Sequence, residues 1–324
     1  MKAVYYEQFG PAGDVLTVGD LPDPVPGPGE VLVRLRASGV NPSDVKLRAG
    51  ARPGAVMPFA RVVPHSDGAG VIEAVGPGVD RAVGERVWIW NGQWQRAQGT
   101  CAALIALPAD QAVPLPEGTS FAEGACLGIP AMTAWYALHS DGPIAGQTVL
   151  VTGGAGTVGR YACQMAALSG ARVITTVSSP EKAAHSGAAE WIDYRKANVA
   201  EAVLEMTGGQ GVDRIVEVDF GANQEVSLQV LKPGGVIAAY ASAACMEPVL
   251  SFYPFMFRNV TLRMLIVYLL DDAMRRRGAA QVAGWLEAGA LTHAVVPGGG
   301  LEDAAAAHDL VASGDKLGTV VLSW

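Results

Sequence analysis

TVLVTGGAGTVGRYACQMAALSGARVITTVSS, residues 148–179, decides the fold of this chain. Val149, Leu150 and Val151 form a short apolar run that reads as a buried strand. A glycine-rich turn follows, then a helical pattern over about 158–169, then a second β-branched run over 173–177. The segment has the length of about 30 residues expected of a strand–helix–strand unit. Gly154, Gly156 and Gly159 spell G-x-G-x-x-G at the strand-to-helix turn. A tight turn, close backbone approach to a pyrophosphate and close packing of helix on strand each ask for a glycine there. The helix N-terminus then offers its N–H groups and positive dipole end to phosphates. The hexapeptide alone is a weak signal; between two apolar strands it predicts a bound dinucleotide.

The end of the second strand says which one. A unit that binds NAD places Asp or Glu about 20 residues past the glycines, to accept from the ribose 2′-hydroxyl. Here the chain reads Thr175, Thr176, Val177, Ser178, Ser179, with no carboxylate before Glu181. A 2′-phosphate there meets the Ser178 and Ser179 hydroxyls and Lys182, and Tyr194 and Arg195 extend a polar pocket after the apolar Trp191-Ile192. NADPH is the expected cofactor. The other reading of Lys182 is a solvated lysine early in a helix.

The chain has 324 residues, half of them hydrophobic and 17% charged, and a net charge of −8. That length predicts two domains, and that composition a packed globular protein. No basic cluster exceeds Arg275-Arg276-Arg277, which argues against nucleic-acid binding. The opening MKAVYYEQFG lacks the apolar core of a signal peptide, and the most apolar segment, 260–270, contains Arg263 and is too short for a membrane span. A cytoplasmic enzyme is expected. Cys101, Cys126, Cys163 and Cys245 are scattered, and the five histidines show no ligand spacing, so neither a disulfide framework nor a metal site is read.

Residues up to about 121 are turn-rich, with β-type runs at 2–6, 30–37, 70–75 and 86–90 and a proline-alternating connector, Pro22, Pro24, Pro26, Pro28. Beyond 148 strands alternate with helices through about 265, and six strands make a full doubly wound nucleotide fold. In that stretch Lys232-Pro233-Gly234-Gly235 reads as a turn and 260–265 as the last strand. The tail, with a terminal strand at 319–322, is too small to stand alone and is expected to complete the first domain. The fold class is α/β: a β-rich catalytic domain, 1–122 with 267–324, and an inserted Rossmann domain, 123–266.

PGEVLVRLRASGVNPSD (28–44), PHSDGAGVIEAVG (64–76), GERVW (84–88), GIPAMTAWYAL (128–138), VTGGAGTVG (151–159) and GDKLGTVVL (314–322) occur in this order and spacing. With them the chain resembles, end to end, the medium-chain dehydrogenase/reductase superfamily, and within it the zinc-free quinone oxidoreductases related to zeta-crystallin. The resemblance implies a GroES-like catalytic domain beside the Rossmann domain, with the active-site cleft between them. Zinc-dependent members carry a Cys ligand where this chain has Asn41, and their Gly-His-Glu falls on His65-Ser66-Asp67, so Ser66 stands at the histidine ligand position. Without thiolate or imidazole there, no Lewis-acid site is expected, and His65 reads as a hydrogen-bonded structural residue.

The same resemblance assigns Asn41 to the acceptor or the cofactor ribose, although an asparagine before Pro42 also reads as a turn. It places Thr133 near the nicotinamide ribose or the phosphates, and Gly153, Gly154, Gly156, Thr157, Val158 and Gly159 on the pyrophosphate. Ala241, Ser242, Leu265 and Val267 fall on the nicotinamide side, with Lys316 close to the cofactor. Lys46 and Arg52 stand where relatives often carry tyrosines, a departure that favours acceptors with anionic or polar groups. Trp90, with Trp88 and Trp94, reads equally as a cleft wall or as core. No strong general acid stands out; Tyr240, Lys46 and His65 are the candidates. The expected activity is metal-free hydride transfer from NADPH to a quinone. The alternatives are reduction of the C=C bond of α,β-unsaturated aldehydes or ketones, and a non-catalytic, crystallin-like NADPH-binding protein. An apolar last Rossmann strand within 260–270 predicts a homodimer through that sheet edge.

Overall fold

The computed structural model describes residues 1–51 and 54–324 and divides into two compact units, 1–129 with 279–324, and 130–278. The contacts divide the chain at 129/130 and 278/279, where the sequence reading has 122/123 and 266/267; Pro130 sits inside one helical turn, Leu127–Ala131, and the helix Asp272–Glu287 continues past the second division.

Unit 130–278 holds a parallel six-stranded sheet. Its order is Glu190–Asp193, Arg172–Val177, Thr148–Val151, Val212–Glu217, Leu231–Ala239, Thr261–Met264, which is 3-2-1-4-5-6 by appearance in the chain. That is the doubly wound order, with its switch point between Thr148–Val151 and Val212–Glu217. Leu150, Ile174, Ile215 and Ile237 from four neighbouring strands pack into one core with Val203 and Phe220 of the covering helices. The segment read as a turn, Lys232 to Gly235, lies inside a strand: pairing runs from Val212↔Leu231 to Arg214↔Val236, so the extra residues bulge out opposite Asp213. Lys232 Nζ holds both oxygens of the Asp213 carboxylate at 2.9 Å, and the Gly234 N–H donates to Arg258 O at 2.8 Å, which pins the bulge. The last strand, Thr261–Met264, stops where its partner stops at Ala239; Leu265 still donates to Ala239 O at 2.9 Å, and the chain then turns.

A buried cation ties this sheet together. Arg214 is 2% exposed, and its guanidinium donates to Ala137 O at 2.8 Å and to Asp141 Oδ2 at 2.9 Å. Arg263, on the edge strand, holds the other Asp141 oxygen. Burial raises the Asp141 carboxyl, but hydrogen bonds from Arg263, Ser140 and Arg214 outweigh it and bring it down to about 2.

Unit 1–129 with 279–324 is built on a mixed sheet ordered Val295–Pro297, Thr319–Ser323, Glu30–Val40, Asp67–Val75, Arg86–Ile89, Ala112–Pro114, with Leu104–Pro108 also paired to Glu30–Val40. All its pairings are antiparallel except Val295–Pro297 on Thr319–Ser323. Alternation on Glu30–Val40 sends Val31, Val33 and Leu35 into a core with Ile72, Val87, Ile89, Ile105 and Leu107. Val320 and Leu322 of the terminal strand join a second core with Val40, Cys101 and the helix Ala304–Ser313.

Candidate functional site

In unit 130–278 every cofactor residue read on a sheet strand or the turn after it lies at the carboxyl edge of the parallel sheet, where open α/β sheets bind ligands. Gly153 is left-handed at φ +67°, and the Gly153 and Gly154 N–H groups donate to Thr176 Oγ1 at 3.1 Å and Thr176 O at 3.2 Å. The glycine turn is thereby stitched to the second strand. A Cβ on Gly154 would lie 2.0 Å from Thr175 Oγ1, and one on Gly159 would lie 2.3 Å from Gly153 O. Both glycines close the turn on its own framework. Gly156 differs: its Cβ would meet only Gly153 O, at 3.2 Å. Among the described residues no side chain caps the helix Thr157–Leu168, whose first residues include Thr157 and Val158. The turn and helix start therefore form a cradle that fits a pyrophosphate.

Ser178 is buried at the end of the second strand, and Ser179 Oγ accepts the Lys182 N–H at 3.2 Å as the cap of the helix Pro180–Ser186. The Ser179 hydroxyl proton stays free to donate to an anion. Tyr194 is exposed, and its N–H donates to Val177 O at 3.1 Å, which places it beside these serines. Thr133 is buried on the helix Met132–His139. Ala241 and Ser242 are spent on a neighbouring helix start: Phe220 N–H donates to Ala241 O, and Gly221 N–H to Ser242 Oγ at 2.9 Å. Leu265 and Val267 are buried next to the last strand. Burial pushes the Tyr240 phenol far up, so Tyr240 holds its proton firmly.

Sequence reading missed Glu217, fully buried at the end of Val212–Glu217 on the switch point. Its Oε1 accepts from Thr152 Oγ1 at 2.9 Å, Asp219 N at 2.6 Å and Asn223 Nδ2 at 2.8 Å, while Oε2 has no hydrogen-bond partner among the described residues. Burial raises its carboxyl, offset by hydrogen bonds from Asn223, Asp219 and Thr152. A charge inside the apolar run RIVEV was the available signal.

In the other unit Asn41 caps the helix Pro42–Arg48 and is buried. Its N–H donates to Asp44 Oδ2 at 2.8 Å, and its Nδ2 donates to Asp67 Oδ2 at 2.8 Å. Asp67 also takes the Ile129 N–H, at 2.8 Å on Oδ1 and 3.0 Å on Oδ2. Burial lifts the Asp44 carboxyl to about 7, against hydrogen bonds from Asn41, and lifts Asp67 well above the usual carboxylate range. Lys46 is exposed on the same helix, and Arg52 lies outside the described residues. Trp88 and Trp90 are both buried. Lys316 Nζ donates to Gly318 O at 2.7 Å, and burial lowers its ammonium.

His65 is buried at φ +75°, with Nδ1 on Ser38 Oγ at 2.8 Å and Nε2 on His308 Nε2 at 2.8 Å. Burial, with the neighbouring His308, lowers its pKa well below the usual imidazole range, so it is neutral and structural. Ser66 is buried as well. Among the described residues no three His, Cys, Asp or Glu side chains gather as metal ligands, and no helix is long and apolar enough to cross a membrane.

Two family models match: an alcohol dehydrogenase GroES-like domain over residues 27–117 and a zinc-binding dehydrogenase domain over 157–283. A quinone oxidoreductase of Rattus norvegicus is 33% identical over 99% of this chain and 97% of its own length. A 2-haloacrylate reductase of a Burkholderia species is 32% identical over 99% and 98%. A mycobacterial protein solved in complex with NADPH superposes with a TM-score of 0.86 at 32% identity, each chain covered in full. The glycine cradle, the doubly wound sheet and the GroES-like unit thus come with full-length likeness, and the chain belongs to the quinone oxidoreductase family of the medium-chain dehydrogenases/reductases.

Proposed function

We propose that the chain is an NADPH-dependent reductase that passes a hydride to quinones without a metal. The observation that carries this reading is the second strand's end, where Ser178, Ser179 and Lys182 replace a carboxylate beside an intact glycine cradle. The likeness to a quinone oxidoreductase and to an NADPH-bound structure supports it. The glycine turn and the start of Thr157–Leu168 would hold the pyrophosphate, with Ser178, Ser179, Lys182 and Tyr194 on the 2′-phosphate. Thr133, Ala241, Ser242, Leu265 and Val267 would face the nicotinamide side, and Lys316 would lie close to the cofactor. When bound, the reduced nicotinamide supplies the hydride. A quinone spreads the incoming charge over its ring, so the residues have mainly to hold and orient. Asn41 serves this, with its amide nitrogen held on Asp67.

Lys182→Ala is expected to raise KM for NADPH roughly ten- to hundredfold, the worth of a charge-assisted hydrogen bond, and to leave KM for NADH nearly unchanged. Steady-state kinetics with both cofactors checks this; equal effects would exclude a 2′-phosphate contact. The reaction itself is tested by NADPH oxidation with 1,2-naphthoquinone, 9,10-phenanthrenequinone and a panel of alkenals. Saturable NADPH binding with no turnover on any acceptor would refute the enzyme reading. Reduction of an activated C=C bond is the second reading, favoured by the full-length likeness to a 2-haloacrylate reductase, and a faster rate on alkenals than on quinones would select it.

We also propose a homodimer through the Rossmann sheet edge, in the cytoplasm. Among the described residues Thr261–Met264 has one strand neighbour only, and around it Val249, Phe252, Tyr253, Phe257, Met264 and Leu269 are exposed by 64–85%. An unpaired edge flanked by so large an apolar surface fits a second copy of the same surface across a two-fold axis. The double variant Phe252→Glu, Phe257→Glu is expected to halve the mass measured by light scattering at micromolar concentration. A wild-type monomer would refute the proposal.

A further inference from the structure

The Asn41 carboxamide has two ends of opposite polarity, and its surroundings choose between them. A carboxamide nitrogen only donates and its oxygen only accepts. Asp67 Oδ2 lies 2.8 Å from Nδ2, and Asp44 Oδ2 takes the Asn41 backbone N–H at 2.8 Å. Nδ2 is therefore held on the Asp67 carboxylate, while the backbone N–H of the same residue is held on Asp44. Asp67 is itself fixed from behind by the Ile129 N–H, which reaches both of its oxygens. That approach depends on Gly128, where a Cβ would lie 2.1 Å from Asp67 Oδ1. Asp67 cannot rotate away without giving up the Ile129 N–H, which is half-buried.

We infer that Asp67 is a positioning residue: it locks Asn41 with its nitrogen inward, so that the end of Asn41 left for a ligand is the accepting oxygen Oδ1. The group Asn41 meets is then a hydroxyl or N–H donor, such as a sugar hydroxyl, and not the carbonyl oxygen of a quinone. This rests on the reading of Asn41 as a site residue, and it narrows the two roles assigned to Asn41 to one.

The lock is tested by exchanging the partners. In Asp67→Asn the new carboxamide keeps its oxygen on the Ile129 N–H and turns its nitrogen toward Asn41. Asn41 has to answer with Oδ1 and so loses its accepting end. In Asn41→Asp two carboxylates face each other. In the double variant Asn41→Asp, Asp67→Asn the pair is reversed, and one oxygen of the carboxylate now on the capping position is again free to accept. With 9,10-phenanthrenequinone as acceptor, kcat is expected to fall at least about tenfold in each single variant and to recover most of that loss in the double variant. The thermal midpoint of Asp67→Asn should stay within a few degrees of wild type. Selective 15N-asparagine spectra give a readout that does not need turnover: the Asn41 side-chain amide should exchange slowly in wild type and shift in Asp67→Asn. Wild type without turnover on any acceptor, but with that slow amide, would remove the proposed activity and leave the lock standing. Wild-type rates in Asp67→Asn, an Asn41 amide that does not move, or losses that track the thermal midpoint with no recovery in the double variant would each overturn it.

Discussion

Gly154→Ala is expected to lose stability and NADPH binding together, whereas Gly156→Ala loses binding alone. The added methyl of Gly154→Ala arrives 2.0 Å from Thr175 Oγ1 and 3.2 Å from Cys163 Sγ. Thr175 is buried, and its hydroxyl is fixed on Val151 O at 2.7 Å, so it has nowhere to turn. Relief has to come from moving the glycine turn off the second strand, which breaks the bonds to Thr176. Overpacking of this kind costs about 1–3 kcal/mol. For a unit of this size that lowers the thermal midpoint by roughly 3–10 °C. The displaced turn should also weaken NADPH by on the order of a hundredfold, since a displacement of about 1 Å suffices to spoil an oriented site. In Gly156→Ala the methyl clears Gly153 O at 3.2 Å, and the residue's φ of −70° suits any amino acid. Its methyl would take up cradle space without straining the fold. Calorimetry on the apo variants and fluorescence titration with NADPH separate the two effects. A Gly156→Ala protein that binds like wild type would move the pyrophosphate off this turn.

Asp141→Ala is expected to be the most destabilising surface-proximal substitution in the nucleotide unit. It removes the carboxylate from Arg214 and Arg263 at once and leaves Arg214 buried with Ala137 O as its remaining hydrogen-bond acceptor. Breaking a buried pair from one side costs about 3–5 kcal/mol, because the charge that remains is uncompensated. The companion Arg263→Ala, whose side chain is a third exposed, should cost much less, of order 1 kcal/mol or below. The pH dependence follows from the sign of the shift. The Asp141 carboxyl ionises at about 2 in the folded chain against 3.8 for the ordinary group, so the folded state prefers the anion. Its contribution is complete above about pH 4 and disappears as the pH falls toward 2. Urea unfolding of wild type between those limits should show that loss, and Asp141→Ala should lack the corresponding component.

The features legible in the sequence are those written locally. The glycine turn, the missing carboxylate after Val177 and the strand–helix alternation all sit within short windows, and the sheet order follows from them. Asn41 was found by position, but the reason for its orientation lies at Asp67 and at the Ile129 peptide, 62 residues further along, where no local pattern reports it. Glu217 escaped for the same cause, since its partners Thr152 and Asn223 come from the glycine turn and from the helix Phe220–Val230. Lys232 to Gly235 has the composition of a turn, and only the pairing of Asp213 opposite it makes it a bulge within a strand. The reading of 260–265 as a strand overran by one residue at each end because a strand ends where its neighbour does, which its own sequence does not record.

The terminal strand Thr319–Ser323 pairs with Glu30–Val40, so the sheet of the first unit joins residues from nearly opposite ends of the chain. The nucleotide unit between them is contiguous. During synthesis the nucleotide unit can therefore close as soon as residue 278 is available, while the earlier-made segment waits with one long strand short of a neighbour until Thr319–Ser323 emerges from the ribosome. The usual order, in which the N-terminal part folds first, is reversed by this topology. The closure entropy of the long excursion is reduced once the inserted unit has already drawn its own ends into a compact body. Emergence of Thr319–Ser323, and not the growth of the nucleotide fold, is then the event that completes the first unit.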